Sequence, residues 1–135
     1  IYGKPATSFV ADFIGQMNFI PGTIESDGAA RIGNVKFNCS TADFTPGARV
    51  MVAIRPEDIN AQDIADGDDN VFEAEIRRIE FLGSFCRIEL GGAAFGNEII
   101  RADFSINLIR RKNIQVGSSL LVRFPSQFIQ LYPRP

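Results

Sequence analysis

The stretch Val71-Phe72-Glu73-Ala74-Glu75-Ile76-Arg77-Arg78-Ile79-Glu80-Phe81-Leu82 decides the fold class. Phe72, Ala74 and Ile76 share one parity, whereas Ile79 and Phe81 share the other. A strand has period two, so it can change parity and keep its apolar side inward only by inserting a residue. The pattern therefore predicts a β-bulge near Arg77-Arg78, which also bends the strand as a small barrel requires. The segments on either side read the same way. Asn18–Glu25 is a strand, broken or placed at an edge by Pro21, which cannot donate to a ladder. Asp27-Gly28 is a hairpin signal, and Val35, Phe37 and Cys39 alternate with polar neighbours. Thr45-Pro46-Gly47 turns into a strand over Ala48–Arg55, which Pro56 stops. Downstream, Gly83-Ser84 turns into Cys86, Ile88 and Leu90, Gly91-Gly92 and Gly96-Asn97 are turns, and Glu98–Phe104 is a strand. Leu120, Val122 and Phe124 form a late strand and Phe128–Tyr132 the last. Seven or eight short strands between Gly and Pro turns mean an all-β barrel or sandwich. The one helix candidate lies in the first 15 residues, where Phe9, Val10, Phe13 and Ile14 make a stripe at helical spacing.

Composition narrows the chemistry. The 135 residues hold 14 Lys plus Arg against 16 Asp plus Glu, a net charge of −2, which argues against a general nucleic-acid or membrane-surface binder. There is no His, so no Ser-His-Asp or Cys-His nucleophile and no His-bearing zinc site can form. Cys39 and Cys86 form no Cys-x-x-Cys motif and read as buried thiols. The acidic segment from Asp63 to Asn70 fails as an EF-hand started at Asp66. Val71 stands where Gly is needed and Arg77 where a bidentate Glu is needed. Gly91-Gly92-Ala93-Ala94-Phe95-Gly96 suggests a phosphate loop only superficially, because no helix pattern follows it. Gly3-Lys4-Pro5 lacks the spacing of a nucleotide-binding loop. Arg77-Arg78 and Arg110-Arg111-Lys112 read as solvated strand ends, and the carboxylate pairs Glu57-Asp58 and Glu73/Glu75 have no pocket signal beside them.

Several segments together resemble one family. Ile1-Tyr2-Gly3-Lys4-Pro5-Ala6-Thr7 followed by Phe9-Val10-Ala11-Asp12-Phe13-Ile14-Gly15 looks like the stretch that closes the ATPase domain of bacterial ABC importer subunits. Met17-Asn18-Phe19-Ile20 looks like the start of the accessory domain that follows, the TOBE or transport-associated OB-like domain. Val52-Ala53-Ile54-Arg55-Pro56-Glu57-Asp58 is similar to that domain's best-known internal motif, and Ile79-Glu80-Phe81-Leu82-Gly83-Ser84 resembles its later hairpin. The resemblance covers the chain in the family's order.

It implies an OB-like barrel, or barrels, of short antiparallel strands after one N-terminal helix. Residues 1–17 would be helix and linker from the end of the ATPase domain, and 18–135 the barrel domain. That domain would have two lobes, about 18–70 with 115–135, and 71–114. The implied function is accessory and regulatory, in solute import, with no catalytic residue, metal or cofactor in these residues. ATP and Mg belong to the ATPase domain upstream. The implied partners are a second ATPase subunit as a homodimer, membrane permease subunits through the ATPase domain, and a regulator protein, with no nucleic acid. The implied location is cytoplasmic, peripheral at the inner face of the cell membrane.

The interface or ligand candidates are Asn18, Phe19, Arg55 and Glu57, and Gly83 is a structural turn residue. Arg55 offers a planar donor fork suited to a carboxylate, and Pro56 sets the exit direction of the chain. A local ion pair closing the barrel and a ligand contact both fit that arrangement. Asn18 can bond backbone at the switch into the first strand, with Phe19 packed under it. The rival readings are an oxyanion or small-molecule sensor using Arg55 with backbone N–H groups, and an oligonucleotide-binding OB domain.

Overall fold

Strand alternation in the sequence becomes two antiparallel sheets over one core in the computed structural model, which describes residues 17–134. The helix expected in the first 15 residues lies outside the described residues. The strands are β1 (Asn18–Ser26), β2 (Ala29–Ile32), β3 (Val35–Asn38), β4 (Arg49–Ile54), β5 (Val71–Phe81), β6 (Phe85–Gly91), β7 (Ile100–Ser105), β8 (Ser119–Arg123) and β9 (Gln130–Pro133). One sheet has the order β3-β2-β1-β4-β9 and the other β7-β6-β5-β8. The sheet membership differs from the lobe grouping 18–70 with 115–135 at one strand, since β8 pairs with β5.

The bulge is where the parity change places it. The β5–β6 register shifts between Ile76 and Arg78, with Ile76 opposite Leu90 and Arg78 opposite Glu89. Ala74 and Ile76 are buried before it. Beyond it Phe81 was expected inward but is 67% exposed. Its parity is inward, opposite buried Cys86, yet the hairpin tip runs past the end of the core, so most of the ring is left uncovered.

Pro21 neither breaks β1 nor lies at a sheet edge, for β1 sits between β2 and β4. Ile24 exchanges backbone bonds with Gly47 and Ala48 on the β4 side. Alternation therefore turns Pro21 toward β2, beyond the last pair of that ladder, Thr23 with Arg31, where no donor is missed. A second correction concerns Arg110 and Arg111. They end a helix, α1 (Ile106–Arg111), rather than a strand. Ser105 caps it by accepting from the Leu108 N–H at 3.1 Å, and the two arginines lie in the last turn, where the helix dipole favours cations. Phe128 belongs to a short 3-10 turn, Ser126–Phe128, and is exposed, so the last strand starts only at Gln130.

The core is shared by both sheets. Phe37 on β3 and Phe72 on β5 have ring centroids 4.8 Å apart, and Phe124, just past β8, meets Phe37 edge-on at 5.0 Å. Phe95, in a 3-10 turn over Ala93–Phe95, closes the group from below Phe72 at 6.1 Å. Such edge and tilted contacts are the favoured aromatic geometries.

Candidate partner-binding surface at the junction of the sheets

Three of the sequence-derived candidates, Asn18, Arg55 and Glu57, lie where β4 ends and β7 passes, and Phe19 lies apart from them. Pro56 has a fixed φ and starts a one-turn 3-10 segment, Pro56–Asp58, that packs against β7. The Asp58 N–H donates to the Arg55 carbonyl at 3.0 Å, which closes that turn. Pro56 is buried, whereas Arg55 and Glu57 are exposed. Burial pushes the Asp58 carboxyl up, as does the Glu57 charge, against the opposing pull of Arg55.

Asn18 is buried, 4% exposed, and works within the domain. Its amide N–H groups donate to the Ile54 carbonyl at 3.2 Å and the Arg101 carbonyl at 2.8 Å, while its oxygen accepts from the Arg101 N–H at 2.8 Å. It thereby ties the ends of β1 and β4 to β7. Phe19 points to the opposite side of β1, half-buried, with its ring 6.0 Å from that of Tyr132. It does not lie under Asn18. Gly83 is in the β5–β6 turn with φ +88°, as its role as a turn residue requires.

Sequence reasoning missed the strongest ion pair beside these residues. Arg87 on β6 donates from Nε and one terminal nitrogen to the two Asp103 oxygens on β7, at 2.8 and 2.9 Å. The pair is partly buried and bidentate, and the Glu57 and Glu80 charges add to the field at Arg87. Both residues sit at outward parity in their strands, which was visible. Their opposition depends on the β6–β7 register, which was not. The result is a charged, hydrogen-bonded surface with planar donors and carboxylates, suited to polar protein contact. Burial pushes up the thiols of Cys39 and Cys86, which disfavours their reactive thiolate form.

A family model described as the TOBE domain matches residues 52–131, and one described as the MalK OB fold domain matches residues 16–59. The chain belongs to the TOBE domain family. The TOBE match runs from β4 through the Pro56–Asp58 turn and the bulged hairpin into β9. This chain is 35% identical over 144 residues to the Fe(3+) ions import ATP-binding protein FbpC 2 of Rhizobium meliloti (strain 1021), covering 99% of this chain and 36% of that protein. It is 26% identical over 133 residues to the sulfate/thiosulfate import ATP-binding protein CysA 2 of Chromobacterium violaceum, covering 98% and 36%. The chain thus spans about a third of the length of these relatives. Among solved structures, the cytoplasmic molybdate-binding protein ModG with molybdate bound has the same fold. The TM-score is 0.70 at 14% identity, covering 87% of this chain and 96% of that one.

Proposed function

We propose that this TOBE domain is the C-terminal accessory domain of an ABC importer's ATP-binding subunit and acts through protein contacts. The observation that supports this reading best is the family match over residues 52–131, in relatives named as import ATP-binding proteins. The domain pairs with its copy on the second ATPase subunit, reaches the permease subunits through the ATPase domain, and offers the surface around Arg55 and Glu57 to a regulator. It works in the cytoplasm, at the inner face of the membrane through the rest of the transporter. Catalysis, ATP and Mg belong to the ATPase domain. A trailing domain that stays paired keeps two ATPase subunits at high effective concentration while they separate and rejoin.

Sedimentation of this chain over a wide concentration range tests the pairing. The expected result is a monomer that dimerises only at high concentration, because the severed domain bears the association entropy alone. A strict monomer at millimolar concentration overturns the pairing. Thermal shifts with ATP, oxyanions and oligonucleotides separate the rivals, since a ligand at 100 times its Kd adds about 2.7 kcal/mol. No shift is expected with any of them. A shift with an oxyanion that is lost in Arg55→Ala would favour the sensor reading instead.

A further inference from the structure

This chain blunts three of the four outer sheet edges at one position each. On β3, the Asn70 side chain accepts from the Asn38 N–H at 2.7 Å and donates to the Asn38 carbonyl at 2.8 Å. On β7, Asn18 does the same to Arg101. On β9 an outward position is Pro133, which has no N–H. Proteins blunt strand edges in these ways because an unpaired edge is a template for another strand.

The β8 edge is also held at one position, but by backbone, and it borders a groove. Arg123 exchanges both backbone bonds with Asn60, at 2.9 and 2.7 Å, in an antiparallel bridge on the side away from β5. Alternation therefore turns the N–H and C=O of Leu121 and Ser119 to that same side. The chain leaves after Asn60, so among the described residues no backbone group pairs with them there. Leu121 is 54% exposed. Between this edge and the loop after Asn60 lies a groove of about 630 Å³, with Ile64, Leu120 and Leu121 on its walls. Its charged lining is Asp63, Asp66 and Asp68 against Lys112, a net negative charge, and Asp68 already accepts from the Ala65 N–H.

We propose that the outer edge of β8 accepts an extended cationic segment of a partner protein by antiparallel strand addition. The bridge at Asn60 shows the direction and the spacing that the incoming strand would continue. Backbone bonds to Leu121 and Ser119 supply the register, an apolar side chain covers Leu121 and Ile64, and basic side chains meet Asp63 and Asp66. This is a different surface from the Arg55–Glu57 junction and does not depend on pairing between two copies.

The test is a titration of the 15N-labelled chain with the acetylated, amidated peptide Lys-Val-Lys-Val-Lys at low salt. Expected are shifts at Ser119, Leu121 and Ile64, with slowed exchange of the Leu121 amide. The same peptide N-methylated on its pairing amides should bind about tenfold or more weaker. The double variant Asp63→Asn, Asp66→Asn, whose spectrum shows the fold intact, should bind several-fold weaker. No shift at millimolar peptide overturns the proposal, as does equal binding of Glu-Val-Glu-Val-Glu. Protection of Leu121 that grows with protein concentration alone also overturns it, by giving the edge to a second copy.

Discussion

Gly33 and Gly83 both have positive φ, +55° and +88°, yet their neighbourhoods separate what each can tolerate. A Cβ at Gly83 meets nothing within 4 Å, so a substituent there costs only backbone strain. A Cβ at Gly33 lies 2.8 Å from the Gly96 nitrogen and the Phe95 carbonyl carbon, both backbone. Gly83→Val should therefore cost about 1–3 kcal/mol, Ser84→Ala about 0.5 kcal/mol or less, and Gly33→Ala more than Gly83→Val. Urea midpoints check the order, and equal values for Gly33→Ala and Ser84→Ala would refute it. Asp58 gives a pH signature. Its folded pKa is raised, chiefly by burial, so the folded state holds that proton more tightly than the unfolded chain does. Asp58 thus subtracts stability above its folded pKa, and the loss fades as pH falls through the carboxylate range. Asp58→Asn should be more stable than the parent at neutral pH, with the gap closing toward about pH 3. Denaturation at several pH values measures it, and a gap that widens on acidification contradicts the assignment.

The β5 bulge is an element-scale device, since one extra residue keeps both halves of an 11-residue strand on the right face. Arg77 contributes little as a side chain. Its ion pair with Glu75, at 3.1 Å, is about half exposed on both partners, a class of pair worth roughly 0–1 kcal/mol. Arg77→Ala should accordingly change stability by about 1 kcal/mol or less. Deleting Arg77 instead leaves Phe72, Ala74, Ile76, Ile79 and Phe81 on one face with their β6 partners in place, so it removes only the bend of β5 and should lower stability further without abolishing folding. Circular dichroism melts of the two variants distinguish them, and similar melting would mean that the bend at the bulge contributes nothing to stability. The bulge was legible because five apolar residues declared the parity change. Helix α1 was not, because six residues with only Leu108 and Ile109 buried carry no helical stripe, and their arginines looked like a strand end.

Two sheets that share one aromatic cluster should unfold as one body. Phe37 from the first sheet touches Phe72 and Phe124 from the segments around β5 and β8, so neither sheet keeps a closed core without the other. Removing Phe124, 1% exposed, to Ala should cost about 3–5 kcal/mol and loosen both sheets together. Hydrogen exchange on β3 and β6 amides checks this, and protection lost in one sheet alone would mean two independent units. The sequence alone determined which residues alternate, where the chain turns, where β5 bulges and which family the segments resemble. Those are local properties, carried by period-two patterning, by Gly and Pro, and by short motifs. Tertiary structure alone decided that β8 joins β5, that Asn18 is spent inside the domain, that Arg87 faces Asp103, and that Leu121 is left at an open edge. Alternation says which face of a strand is buried but not which strand lies beside it. Neighbours are chosen by the packing of a core drawn from distant parts of the chain, and only the assembled sheets show which backbone groups are left unpaired.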